Sequence, residues 1–148
     1  MVGLLALQGN SKGHQEKLSA LGVPCKEVRN TDDCNGISAL IIPGGESTAM
    51  LTLLDNELRT KLTKLIADGL PVLATCAGTI LLATRVSNPE QPALDLLDID
   101  VERNAYGRQR NSFIAQTLDC TAAGAAAFSR IFPDGASLGQ RVEGVFIR

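Results

Sequence analysis

Cys76 stands between two apolar runs, Leu70–Pro71–Val72–Leu73–Ala74 before it and Ala77, Ile80, Leu81 and Ala83 after it. The first run, with a proline at its start, reads as a buried parallel strand, and the second has helical spacing. A side chain on so sharp a strand-to-helix turn is pushed clear of the backbone. Its sulfur also lies near the positive end of the following helix, a setting that favours thiolate over thiol. Small neighbours, Ala77 and Gly78 among them, suit the tight backbone of a cysteine nucleophile elbow. The chemistry on offer is attack on an acyl carbon. A buried cysteine on a core strand accounts for the same residues equally well, since free cysteine is among the most buried residue types.

A second stretch supplies what such a thiol needs beside it. Ser38–Ala39–Leu40–Ile41–Ile42 is an apolar strand that ends in Pro43–Gly44–Gly45–Glu46–Ser47–Thr48. Two glycines directly after a strand let the chain turn and leave backbone N–H groups uncovered. Such amides can receive an oxyanion, the largest single contribution in many acyl transfers. Read without the cysteine, the glycines are a tight turn and Ser47 is the N-cap of the next helix. Read with it, they place oxyanion donors and a nucleophile at neighbouring strand ends, where open parallel sheets form their ligand sites.

The elements around these residues alternate. Val2–Gln8 reads as the first strand, and Gly9–Asn10–Ser11 as the turn into a helix capped by Asn10 or Ser11. That helix carries His14, Leu18 and Leu21 and stops at Gly22. Val23–Val28 is a short second strand. After the polar stretch Arg29–Gly36, Ile37–Ile42 is the third. Ser47–Leu54 is a short helix, and Asp55 caps another with Leu58, Leu62, Leu65 and Ile66 on one face and Gly69 at its end. The predicted fold class is therefore α/β, a mostly parallel sheet with helices on both faces.

Beyond Ala83 the pattern weakens. Asn88–Pro92 reads as loop, Leu97–Arg103 as a strand, Asn104–Asn111 as an exposed polar loop, and Ser112–Leu118 as a strand pairing with the one before it. Residues 121–127 are low-complexity and Ala-rich, Phe128–Gln140 is irregular, and Arg141–Arg148 closes the chain as one more strand.

Composition narrows the classes of function. At 148 residues the chain suits one domain with a respectable core. Hydrophobic residues make up 45%, charged residues 20%, and the net charge is −2, a globular composition with no basic excess to attract nucleic acid. Aromatic content of 3% leaves no stacking platform for bases. No apolar run reaches the roughly 18 residues that span a bilayer, and no signal-peptide pattern opens the chain. Cys25, Cys34, Cys76 and Cys120 form no close pair and no metal-ligand spacing, so a reducing, cytoplasmic compartment is expected.

The resemblance to a known family is carried by several stretches in order. They are Leu5–Ala6–Leu7–Gln8–Gly9, the Pro43–Thr48 turn, Thr75–Cys76–Ala77–Gly78–Thr79, Val101–Glu102–Arg103–Asn104–Ala105–Tyr106–Gly107–Arg108–Gln109, and Gly144–Val145–Phe146–Ile147–Arg148. Together they resemble the class I, triad-type glutamine amidotransferases, which are flavodoxin-like. Within them, the chain is similar to the glutaminase subunits of pyridoxal 5′-phosphate synthase. The resemblance implies glutamine hydrolysis through a thioester on Cys76, with backbone N–H groups of Gly44, Gly45 and Ala77 as oxyanion donors. It places glutamine binding on Gly45, Glu46, Ser47, Arg103, Ile147 and Arg148. It implies no cofactor and no metal, and a synthase subunit as partner to which ammonia is delivered for vitamin B6 biosynthesis. A guanidinium such as that of Arg103 suits a ligand carboxylate, although a solvated surface charge is the plainer account of Arg103 and Arg148.

The sequence departs from the family at one point. The family completes its triad with a His-Pro-Glu motif beyond the Phe-Ile-Arg stretch, and no such motif occurs here. The only histidine, His14, lies early on the first helix, where the resemblance gives it no triad role. The expectation is a single glutaminase domain, residues 1–148, with its C-terminal part missing and inactive as it stands. A non-catalytic binding or scaffold subunit is the alternative. A different Cys-elbow hydrolase, such as a small peptidase, fits less well because of the Arg103–Gln109 stretch.

Overall fold

The computed structural model describes residues 1–105, 113–116 and 143–146. They belong to two units, Met1–Arg103 and Asn104–Arg148. Ile147, Arg148, Cys120, residues 121–140 and the polar loop from Tyr106 onward lie outside the described residues.

The first unit opens with strand β1 (Val2–Leu5), helix α1 (Ser11–Ala20) and strand β2 (Cys25–Val28). A 3₁₀ turn over Asp32–Cys34 leads to β3 (Ala39–Ile42), then α2 (Ser47–Leu53), α3 (Asn56–Ala67), β4 (Val72–Ala74) and α4 (Ala77–Leu82). β1 to β4 form one parallel sheet in the order β2-β1-β3-β4. The chain winds outward from β1 to β2 and then crosses to β3 on the other side. The switch point therefore lies between β1 and β3, the place where doubly wound sheets bind ligands at their carboxyl ends.

Local chemistry explains the helices. The Asn10 side chain accepts the Gly13 N–H at 3.1 Å and caps α1, while Asp55 accepts the Leu58 N–H at 2.8 Å and caps α3. Along α3, Leu58 and Leu62 are buried, Lys64 pairs with Asp68 at 2.7 Å on the solvent side, and Gly69 ends the element at φ 99°. Leu58 and Leu62 join Leu5, Val28, Leu40, Ile42 and Leu81 in one core. Truncating a leucine so enclosed typically costs about 2–5 kcal/mol.

Several elements differ from the sequence reading. β1 ends at Leu5 and β2 begins at Cys25, where ladder pairing stops. Leu73 on β4 is 55% exposed where a buried strand was expected, because β4 ends the four-strand order. No residue of α1 is buried, and Leu21, expected on its apolar side, is 76% exposed at the cap. α4 runs straight into an unpredicted strand, β5 (Ala83–Ser87), which pairs in parallel with β6 (Leu97–Glu102). Arg85 grips the facing Asp100 through two hydrogen bonds, 2.8 and 2.6 Å.

In the second unit β7 (Phe113–Gln116) pairs antiparallel with β8 (Glu143–Phe146), Phe113 opposite Phe146. The expected partner of β7, the strand before it, is thus replaced by the strand that closes the chain. Among the described residues no helix is long and apolar enough to cross a membrane.

Candidate active site

Cys76 leaves β4 and enters α4 with φ 47° and ψ −110°. A non-glycine residue in so sparse a region costs about 1–3 kcal/mol and persists only where its surroundings over-determine it. They do so here. The Thr75 N–H donates to the Ile42 carbonyl at 3.1 Å, tying the elbow to the end of β3. Thr79 and Ile80 N–H groups both donate to the Cys76 carbonyl, at 2.9 and 3.1 Å. Gly78 lets α4 press on β3, since a methyl group there would stand 2.4 Å from the Ile42 carbonyl oxygen. The sulfur is free and the residue exposed. Cys34, by contrast, is buried, and burial pushes its thiol up.

The glycine turn sits against this elbow. A methyl group on Gly44 would stand 3.3 Å from Cys76 Cβ. One on Gly45 would collide with Gln8 Oε1 at 2.3 Å and Gly9 Cα at 2.8 Å. The loop after β1 holds the turn from its other side: Gln8 Oε1 accepts the Glu46 N–H at 2.8 Å, and the Gly44 carbonyl accepts the Asn10 N–H at 3.1 Å. Neither Gly44 N–H nor Gly45 N–H donates to a partner among the described residues. Ala77, buried, opens α4, where first-turn N–H groups have no intrahelical acceptor.

Glu46, not Ser47, caps α2. Its carboxylate accepts the Thr48 N–H at 3.1 Å, the Ala49 N–H at 2.7 Å and the Thr48 hydroxyl. The Thr48 hydroxyl first, then the Ala49 and Thr48 amides and the Arg103 charge, hold this carboxyl below its ordinary range. Ser47 is turned inward instead, 2% exposed, and its hydroxyl donates to Gln91 Oε1 at 2.8 Å. The longer Glu46 side chain reaches the amides that a serine would otherwise serve.

Arg103 follows β6, its N–H donating to the Ser87 carbonyl at 2.9 Å. It is not a solvated charge, for its side chain is only 16% exposed. Nη1 donates to Gln91 Oε1 at 2.7 Å, and Nη2 lies 3.3 Å from Glu46 Oε1. Opposite charges so placed complement an amino acid's carboxylate and ammonium groups. A cleft of about 820 Å³ lies against β5 and β6, lined by Arg85, Gln91, Asp100 and Glu102, but Cys76 is not on its wall.

Of the sequence-predicted site residues, Gly44, Gly45 and Ala77 thus lie at the elbow of Cys76, and Glu46, Ser47 and Arg103 join through Gln91. Ile147 and Arg148 lie outside the described residues. Sequence reasoning missed the bracing role of Gln8 and missed Gln91 altogether. A polar residue in a Pro-rich loop carries no periodic signal, so nothing in the sequence singled Gln91 out.

Comparison with known proteins gives the family. Residues 4–148 match the SNO glutamine amidotransferase family. The chain is 49% identical over 132 residues to the pyridoxal 5′-phosphate synthase subunit PdxT of Pelotomaculum thermopropionicum, covering 88% of this chain and 67% of that protein. It is 44% identical over 146 residues to the PdxT of Thermotoga petrophila, covering 96% of this chain and 77% of that protein. A solved crystal structure described as a glutamine amidotransferase superposes with a TM-score of 0.75 at 38% identity, over 99% of this chain and 70% of its own. A putative peptidase E from Listeria monocytogenes, at 16% identity and a TM-score of 0.56 over 66% of this chain and 62% of its own, shares the fold alone.

Proposed function

The chain belongs to the SNO glutamine amidotransferase family, and we propose that it acts as the glutaminase component of a pyridoxal 5′-phosphate synthase, hydrolysing glutamine to glutamate and ammonia. The ammonia goes to a synthase subunit. The observation that carries this reading is an exposed cysteine held at φ 47° with the Gly44–Gly45 turn packed against it. A merely structural cysteine has no need of that strained and solvent-facing position.

In this mechanism the Cys76 thiolate attacks the side-chain amide carbon of glutamine, and the carbonyl electron pair moves onto oxygen. N–H groups of Gly44, Gly45 and Ala77 receive the oxyanion, each worth about 3 kcal/mol by analogy with other such holes. Collapse breaks the C–N bond, the leaving nitrogen takes up a proton from solvent water, and ammonia departs from a thioester. Water then attacks the thioester, giving glutamate and restoring the thiol. Arg103 takes the substrate's α-carboxylate by a charge-assisted contact, and Glu46 faces its ammonium group.

A second reading, a binding subunit without turnover, is favoured by one observation. No hydrogen bond joins the Cys76 sulfur to a base among the described residues, and the one histidine in the sequence, His14, sits on α1. General acid–base catalysis typically contributes about 10²–10⁴-fold. Steady-state release of ammonia and glutamate, measured with the synthase subunit present, separates the two. Turnover abolished by Cys76→Ala supports the glutaminase, whereas glutamine binding without turnover supports the binding subunit.

A further inference from the structure

Three segments distant in sequence meet at a single oxygen. Gln91 Oε1, from the connection between β5 and β6, accepts the Ser47 hydroxyl at 2.8 Å and Arg103 Nη1 at 2.7 Å. Ser47 opens α2 and is buried, and Arg103 follows β6. The orientation of the amide is not arbitrary. A guanidinium can only donate, so the atom facing Arg103 must be the carbonyl oxygen, and Nε2 must point elsewhere. There it is buried with no partner among the described residues. A buried donor left unmade is a cost, and a glutamate at this position would avoid it while still accepting both bonds. The retained cost points to a need for a neutral acceptor.

We propose that Gln91 is the positioning residue of the substrate site, orienting Arg103 and the first turn of α2 through one uncharged oxygen, so that the guanidinium keeps its charge for the carboxylate of the bound amino acid. The proposal rests on the glutaminase reading and adds to it the residue that sets carboxylate affinity. The second partner of Arg103, Glu46, makes the longer contact at 3.3 Å and is itself committed to the α2 amides. An arriving carboxylate therefore replaces the weak contact at Nη2, while Gln91 holds Nη1 in place.

The decisive substitution is Gln91→Glu, with Gln91→Leu beside it. Both are measured in the full chain by glutamine titration calorimetry, by melting temperature, and by saturation of Cys76 alkylation with a diazoketone analogue of glutamine. Gln91→Glu keeps both accepted bonds, so its melting temperature is expected to be no lower than that of the wild type. Its negative charge neutralises Arg103, and the glutamine dissociation constant rises about tenfold, with the limiting alkylation rate unchanged. Gln91→Leu leaves both donors unpaired, and its melting temperature falls along with affinity. If Gln91 serves only the fold, Gln91→Glu binds glutamine like the wild type, and that result overturns the proposal. So does a Gln91→Glu protein whose limiting alkylation rate drops while half-saturation stays put. A wild-type chain that binds neither glutamine nor the analogue overturns the glutaminase reading and this proposal together, which distinguishes that failure from the failure of Gln91 alone.

Discussion

Gln8 accepts the backbone N–H of Glu46 through its side-chain oxygen at 2.8 Å, across the switch point between β1 and β3. A second bond runs the other way, from the Asn10 N–H to the Gly44 carbonyl at 3.1 Å. Two opposed bonds turn what is nominally a loop into a braced part of the site. The oxyanion donors proposed at Gly44 and Gly45 are thus held by the loop after β1 as well as by their own segment.

That bracing separates two substitutions that look alike on paper. Gly44→Ala puts a methyl group 3.3 Å from Cys76 Cβ, a contact that yields with a shift of a few tenths of an ångström. The fold is expected to survive, with glutamine hydrolysis down about tenfold through misplacement of the thiol. Gly45→Ala instead meets Gln8 Oε1 at 2.3 Å and Gly9 Cα at 2.8 Å, and loses about 2 kcal/mol or more of stability. Adding Gln8→Ala removes only the first of those obstacles, so the double variant stays destabilised. Urea unfolding of the three proteins checks this. Full recovery in the double variant would mean that the Gly9 backbone gives way.

How far the site was legible in the sequence follows from the kind of signal each part leaves. The elbow, the glycine turn and the α3 face are local patterns of residue type and spacing, and they fold as local patterns. Glu46 as cap was missed because serine is the commoner capping residue, whereas here tertiary contact with Gln91 draws Ser47 inward. β5 escaped notice because it follows α4 with no turn residue between them. The partner of β7 was misjudged because strand pairing is a long-range choice that neither strand encodes alone. Gln91 is the extreme case. Its role exists only once α2 and the end of β6 are side by side.

Cys76 is expected to react with a glutamine-analogue electrophile ahead of Cys25, Cys34 and Cys120. Among the described cysteines it is the exposed one, Cys25 is half-buried, and Cys34 is buried with its thiol pushed up. Mass-spectrometric mapping after brief treatment of the folded chain reads the result. Equal labelling at every cysteine would remove the case for a special site. Cys76→Ala should also relieve no fold-critical contact, so its melting temperature is expected to remain near that of the wild type while hydrolysis disappears.

Glu46 gives the site an acid dependence of definite sign. Its carboxyl is held below the ordinary range by the Thr48 hydroxyl, the Ala49 and Thr48 amides, and Arg103. A depressed folded-state value stabilises the fold above the unfolded value of about 4.3. The contribution is then lost as pH falls through the lower folded-state value. The stability advantage of wild type over Glu46→Gln is therefore expected in full at pH 7 and to shrink away in the acid range. Melting curves of both proteins from pH 7 downward test it, and an advantage that grew on acidification would reverse the assignment.

Free ammonia is protonated at neutral pH and lost to water, so a glutaminase of this kind needs its acceptor docked against it. We propose the loop after β1 and the first turn of α1 as that contact, since no residue of α1 is committed to the core. Asn10 makes a poor probe, because its side chain caps α1 and Asn10→Lys would cost about 1 kcal/mol for that reason alone. Lys12 is exposed and makes no hydrogen bond or ion pair among the described residues, so Lys12→Glu reverses a charge without disturbing the cap. Its melting temperature should hold, while association with the synthase subunit in co-sedimentation falls about fivefold, as expected for a charge at an interface rim. Activation should fall with it. A trans peptide fixes its N–H opposite its carbonyl, so the bond from Asn10 to the Gly44 carbonyl also sets where the Gly45 N–H points. A partner docked on this loop would therefore act directly on the oxyanion donor proposed at Gly45. Unchanged association in Lys12→Glu would place the interface on another face of the sheet.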